Sequence, residues 1–475
     1  MLGLFATLNL GARALEAQRT GVEVTGQNIA NVNTPGYARQ RVQLQTNVGL
    51  RTSAGVEGTG VYVAGIQQLR SALVDGQIQN ESSVGSYWLS QQNVLQYAQG
   101  GLGEYIDNQT QGVSGSAATG TGAQGLGSEL NGLFNAFQSV ATSPSSMTER
   151  QALLSQAQSM ASRFNQISGQ LSNLHDALNT SINSDVSSAN SLLKDIADLN
   201  GQISTSEVGG GTANDLRDLR QLKLEDLSKL VKIQSSTATD GTVDVSIGGT
   251  TLVSGRQLQD TLQTYDAGGG QLLVRTATGG TPLTLSGGSI SGTIDARDGG
   301  LATLRNSLDS LAANLVTTVN NVHRAGFGLA GTTGQDFFTG TDAASIGVNA
   351  ALTNDPSLIQ AAGMSGATGD NTVALQLAQL ATQPNAGLGN RTFSDSYSQT
   401  VTALGQSLSD ANTQSANSDA VQNMLQQQRD SVSGVSIDEE MSNLVQYQKA
   451  YDASARIVTT VAQMLDTVLT MGATP

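Results

Sequence analysis

The sequence predicts a mainly α-helical, elongated protein of several domains, with a β-rich insert interrupting its helices. Three observations lead there. Apolar residues recur at steps of three, four and seven at both ends and through much of the middle. Only 6 prolines occur in 475 residues, while 55 glycines fall mainly between the periodic segments, so long helices alternate with loops. From 231 to 298 the pattern changes to short alternating runs bounded by glycine pairs and triplets.

The elements follow in order. Leu4, Leu8, Leu15, Val22 and Ile29 form one helical stripe, the last four at the coiled-coil period of seven. Asn33-Thr-Pro-Gly36 stops that helix, with Pro35 fitted to the second position of a turn and Gly36 to the third. A short strand is expected over Gly60–Ala64, a helix from about Leu69 to Tyr105, and a Gly/Ser/Thr/Ala loop over 112–127. The longest helical signal runs from Leu153 to Ile203, and its phase slips by one residue between Leu178 and Ile182. A further helix follows over Asn214–Leu230, with Asn214 as its expected N-cap.

Val243–Ile247 and Leu272–Thr276 read as strands of a small antiparallel insert. Helix returns over Leu301–Val322, a loop and β-rich stretch covers 325–366, and helices resume near Thr372 and Phe393. The C-terminal segment carries two heptad series. One comprises Ile437, Leu444, Tyr451, Val458 and Leu465; the other comprises Met441, Gln448, Ala455, Ala462 and Leu469. Ser436 with Glu439 reads as a capping box, and Asp438 and Glu440 suit the positive end of the helix dipole.

Totals narrow the function. With 4% aromatic and 38% hydrophobic residues, one massive core is not expected. A net charge of −15 argues against nucleic acid and against docking on an anionic membrane. There is no cysteine, hence no disulfide, thiolate metal site or thiol nucleophile. The first residues lack the basic start of a cleavable signal, and no run of eighteen apolar residues spans a membrane.

Asn28-Ile-Ala-Asn31-Val-Asn33-Thr34-Pro35-Gly36-Tyr37 resembles the signature of the flagellar axial proteins, the rod, hook and hook-associated subunits. Gly36–Gln40, Asn214–Arg220 and Glu439–Ile457 are similar to the hook-associated branch. Segments at 320–326, 336–338 and 369–371 extend the likeness over most of the chain, weakest between 231 and 298.

The resemblance implies that the two ends, 1–32 and 437–475, pair as a coiled-coil polymerisation domain. A helical domain would comprise 33–230, 300–324 and 367–436. Residues 231–299 would form the outer β-rich insert, with 325–366 as a candidate addition. It implies a structural subunit that forms a ring of identical copies at the hook–filament junction. Hook protein would lie on one side and a second junction protein on the other. An export chaperone is expected on the C-terminal helix. Export through the flagellar type III apparatus would leave the protein extracellular with no cleaved signal. The candidate seam is then Leu8, Leu15, Val22 and Ile29 with the ten C-terminal heptad residues. A rod or hook protein is the alternative within the same group.

Catalytic readings find no footing. Gly120–Gly125 matches G-x-G-x-x-G, but no strand precedes it and no acid stands at the right distance. His175 and His323 sit within helical stretches, without a metalloprotease or nucleophile-elbow pattern. No cofactor or metal is expected. A glycan-binding module is a third reading, but the insert's single aromatic, Tyr265, makes a poor sugar platform.

Overall fold

The computed structural model describes residues 3–52, 55–103 and 125–472. The N-terminal helix α1 (Leu4–Ala30) ends where expected, because the Tyr37 N–H donates to Thr34 O at 3.2 Å and Gly36 sits at φ +78°. β1 (Gln40–Thr46), β2 (Leu50–Thr52), β3 (Gly55–Glu57) and β4 (Val61–Gln68) then form two short antiparallel ribbons, β1 with β4 and β2 with β3. The strand expected at 60–64 is there. Its partner β1 escaped notice because its sequence, QRVQLQT, shows only two apolar residues.

The helix α2 (Ala72–Leu102) closes on Gly103, at φ +65°. The helix α3 (Leu126–Thr142) begins inside the stretch expected to be loop; residues 104–124, with the rest of that loop and most of the G-x-G-x-x-G segment, lie outside the described residues. The helix α4 (Met147–Glu207) runs 61 residues without a break, and Ser146 caps it by accepting the Glu149 N–H. The helix α5 (Asn214–Leu230) follows.

The insert is antiparallel. β5 (Ile233–Thr237), β6 (Val243–Ile247), β7 (Thr250–Ser254) and β8 (Gln257–Leu258) lie in sequence order in one sheet. β9 (Leu262–Asp266) and β10 (Leu272–Thr276) make a separate hairpin. The alternation in β6 turns Val243, Val245 and Ile247 inward. The last strand of the insert ends at Thr276, and Pro282 bridges back to Arg275. The end of the segment read as β is instead helix α6 (Gly288–Asp295), with Ile290 buried, and a π-helical turn (Ala296–Leu301) leads into α7 (Ala302–His323). Then come β11 (Phe338–Thr339), β12 (Gly347–Val348), α8 (Ala350–Asn354), α9 (Thr372–Gln379), α10 (Phe393–Ser433) and α11 (Ile437–Gly472).

Among the described residues two large apolar cores result, beside a small cluster of Val74, Ile78 and Leu425. One gathers α2, α3, α7, α9, α10 and the first half of α4 around Phe137, Phe164, Phe337 and Phe393. The other sets Ile182, Val186, Leu193 and Ile196 of α4 against Val245, Leu252 and Val274 of the insert. The first ends on α4 at Leu178 and the second begins at Ile182. The one-residue slip in the periodicity therefore marks where one helix changes partners. Beside it the buried Arg297 of the π-turn donates to Asn179 Oδ1 at 2.6 Å and pairs with Asp298. The mid-chain histidine has a structural post. His323 Nδ1 donates to Gln335 O, and Nε2 accepts the Gln360 N–H at 3.0 Å, which fixes the neutral ring.

Candidate functional site at the terminal helices

The helices α1 and α11 lie against each other in opposite directions. Gly11 faces Val458, Gly21 faces Tyr447 and Asn28 meets Glu440. Glycine is required at the first two. A Cβ on Gly11 would stand 2.7 Å from Val458 Cγ2, and one on Gly21 would stand 2.6 Å from the Tyr447 ring. The approach is therefore built by small residues of α1 receiving larger side chains of α11.

On α11 the residues turned toward α1 repeat in heptads: Glu440, Tyr447, Ser454 and Val461, interleaved with Leu444, Val458 and Leu465. Leu444, Ala455, Val458 and Leu465 are half-buried. Ile437, Met441, Gln448, Tyr451, Ala462 and Leu469 are exposed, Met441 by 48% and Leu469 by 70%. On α1 the stripe Leu8, Leu15, Val22 and Ile29 is half-buried, while Gly11, Ala17, Gly21, Val24, Thr25 and Asn28 are buried. Ala17 and its neighbours Arg13 and Thr20 face Val61 and Val63 of β4, so α1 has α11 on one side and the ribbon on another.

At the base of this pair lies a polar cluster. Asn28 Nδ2 donates to Glu440 Oε2 at 3.0 Å and to Gln40 O at 2.9 Å. Its Oδ1 accepts from the Tyr37 hydroxyl and from the Gln40 N–H. Arg39 spans Glu439 and Glu440, each at 2.7 Å. One layer deeper, Asp218 of α5 accepts from the Ala38 N–H, from Gln68 and from Arg70, and Arg70 also donates to Gly36 O. Burial pushes the Asp218 carboxyl up to about 6 even though Arg70 pulls it down. Burial, aided by Asp215, Asp218 and Glu440, pushes the Tyr37 phenol up to about 12, so it stays a donor. The turn after α1 is thus bonded simultaneously to the start of α11, to the ribbon and to α5.

Two capping expectations are corrected by this cluster. Asn214 is the first residue of its helix, and its side chain donates instead to Gln40 Oε1 and Ile66 O. Ser436 does accept the Glu439 N–H at 3.5 Å, but the Glu439 carboxylate turns to Arg39 rather than back to complete a box. Glu440 likewise serves Arg39 and Asn28 from a buried position.

Three family models match segments of the chain. The flagellar hook-associated protein FlgK helical domain matches 116–338, the flagella basal body rod protein model matches 8–37, and the C-terminal model of the basal body rod FlgEFG proteins matches 426–471. Flagellar hook-associated protein 1 of Bacillus subtilis is 30% identical over 99% of this chain and 98% of its own length. The chain belongs to the flagellar hook-associated protein 1 family. The Salmonella typhimurium member is 25% identical over 97% of this chain and 99% of its own. The fold agrees with the solved flagellar hook junction protein FlgK of Burkholderia pseudomallei, at TM-score 0.63 and 17% identity over 75% of this chain and all of that one.

As a member of the hook-associated protein 1 family, the chain is a structural component of the flagellum. The signature residues take different posts in it. Asn28, Gly36 and Tyr37 join the cluster; Asn31 and Thr34 bond each other at 3.1 Å within the turn; Asn33 and Pro35 stand exposed. A Cβ on Gly36 would lie 2.5 Å from Leu222, which ties this turn to α5 by shape as well as by charge. Sequence reasoning missed Gly11, Gly21, Arg70 and Asp218. A helical glycine carries a signal only when its partner is known, and the Arg70–Asp218 pair joins residues 148 apart. In the insert, Tyr265 carries Arg275 over its ring at 5.3 Å, so that face is already covered.

Proposed function

We propose that this chain forms the junction between hook and filament by polymerising, copy against copy, through α1 and α11. The observation that carries the reading is the second face of α11. One face meets α1, yet Ile437, Met441, Tyr451, Met464 and Leu469 stand exposed on a helix that is apolar well beyond what a single partner covers. Further copies of the same helices supply the missing cover. Hook protein borders the assembled layer on one side and a second junction protein on the other. The chain travels unfolded through the flagellar type III apparatus to the cell exterior, with a chaperone on its C-terminal helix before export.

Electron microscopy of cells lacking the protein tests the placement. Intact hooks without filaments are expected, whereas loss of hooks would move the chain into the rod or hook. Leu444→Asp tests the helices, since it sets a charge in the face turned toward α1. Secretion continues, filament growth stops and filament subunit appears in the medium; normal swimming of this strain would overturn the reading.

A further inference from the structure

The first two turns of α5 sort their charges by helical spacing. Asp215 and Asp218, three apart, face the turn after α1 and the start of β1, where they accept from Gln40 Nε2 and from the Ala38 N–H. Arg217 and Arg220, also three apart, line a cleft of about 970 Å³ instead. The cleft lies between α5, the start of α2, β4 of the ribbon and β5 of the insert.

Four charged side chains line it: Arg70, Asp75, Arg217 and Arg220. That is three cations to one anion, in a chain whose net charge is −15. Two of the cations are committed. Arg70 serves Asp218 and Asp75, and Arg217 is held by Glu207 at 2.7 Å. Arg220 is only 6% exposed, yet among the described residues it pairs with no carboxylate. Its Nη1 donates to Asn200 Oδ1 at 2.7 Å and to Gly241 O at 2.8 Å, and its other N–H groups bond nothing described. Burial, with Arg217 alongside, pushes it down to about 10. A guanidinium taken out of water is costly without an anion, and the equally buried Arg297 has one in Asp298. Arg220 instead keeps uncommitted donors on the wall of a cleft of ligand size.

The rest of the lining says what kind of anion fits. Asp75 Oδ1 and Arg70 Nε are buried without a hydrogen-bond partner, an acceptor and a donor left incomplete in the same wall. An inorganic anion answers Arg220 and offers Asp75 nothing, whereas a peptide carries carboxylates and N–H groups together. Among the described residues β4 pairs only with β1 and β5 only with β6, so each is the outermost strand of its sheet. Part of the β4 edge is taken, because Ile66 O accepts from Thr212 and Asn214. On the β5 side Ser235 and Thr237 stand exposed. Strand edges of this kind receive extended chains through backbone bonds.

We propose that this cleft binds an extended acidic segment of another polypeptide, with a carboxylate of that segment on Arg220 and its backbone along β5. The site belongs to the body of the chain and does not depend on how the terminal helices polymerise.

Fluorescence anisotropy on the dilute full-length chain tests it with two dye-labelled peptides, Thr-Glu-Thr-Glu-Thr-amide and Thr-Gln-Thr-Gln-Thr-amide. The acidic peptide should bind about tenfold more tightly than its glutamine counterpart. Arg220→Gln removes the charge and should abolish that difference. Thr237→Trp fills the cleft from an exposed position of β5 and should weaken the acidic peptide about tenfold, with circular dichroism unchanged. Where Arg220→Gln does not fold, the tryptophan variant decides alone. Equal binding of the two peptides, binding indifferent to Thr237→Trp, or no binding at millimolar peptide overturns the proposal. Displacement of the acidic peptide by equimolar sodium phosphate overturns it too, because the cleft is then a small-anion site.

Discussion

The side-chain amide of Asn28 donates to the carboxylate of Glu440 at 3.0 Å across 412 positions of sequence, and Glu440 is only 2% exposed. This bond fixes where α11 starts relative to where α1 ends. It makes the base of the terminal pair a built feature of one chain, whatever the helices do further out.

Arg39 supplies the cation for that buried carboxylate. Arg39→Ala leaves Glu440 charged and uncompensated, so the full-length chain should lose about 3 kcal/mol in urea unfolding. Glu440→Gln removes the charge together with the need for it and should cost about 1 kcal/mol. An Arg39→Ala loss no larger than that of Glu440→Gln would show that the carboxylate reaches water.

Gly21 and Gly26 form a matched pair of tests. Alanine is the better helix former by about 1 kcal/mol, so Gly26→Ala, where nothing stands within 4 Å, should stabilise the chain by that amount. Gly21→Ala drives a methyl into the Tyr447 ring and should lose stability despite the same propensity gain. Adding Tyr447→Ala should recover most of the loss. Thermal unfolding of the three variants reads all of this directly.

His323 predicts a pH dependence. Burial lowers its pKa to about 4, against an ordinary value of 6.5. The unfolded chain takes up a proton as pH falls through 6.5 while the folded one declines it until about 4. Stability is therefore fully present above 6.5 and drains away below it, by about 3 kcal/mol in all. Asp218, raised to about 6, acts in the opposite direction, so wild type must be compared with His323→Gln, in which only the histidine contribution is removed. Urea unfolding at pH 7 and pH 4.5 should show the steeper acid loss in wild type.

The dilute chain should be open at its ends. Among the described residues nothing covers the outer faces of α11 within one copy, and the helix is held to the rest of the molecule by α1 and its base. Limited proteolysis should trim α11 back toward Ser436 and α1 back toward Asn28, leaving the two cores intact. Full protection of both ends in dilute solution would mean that they need no neighbours.

The residues that spoke plainly in the sequence were those acting through periodicity. Leu153 to Ile203 announced α4 because each apolar residue lies one helical turn from the next, and the slip at Leu178 even marked the change of core. The turn at Pro35-Gly36 was equally legible, since few residues tolerate φ +78°. The ribbon strand β1 was not, because Gln-rich strands alternate without apolar contrast. The polar cluster was hidden for another reason. Asn28 with Arg39, Asp218 and Glu440 come from three distant segments, and a carboxylate at a helix start reads as a cap until its partner is seen. The heptads of α11 were visible, but a repeat of seven does not say which of two adjacent series turns inward; Gly21 receiving Tyr447 decides that.

The unbroken α4 has a mechanical meaning. Its 61 residues extend about 90 Å, and they belong to both cores. Most chains join their lobes by loops, where a push on one lobe is absorbed before it reaches the other. Here a load applied at the β-rich insert travels along a continuous ladder of backbone hydrogen bonds into the helical body. The insert cannot tilt without bending that strut or tearing Arg297 from Asn179 beside it. The insert and the helical body are therefore coupled along one continuous helix and respond to load as one piece.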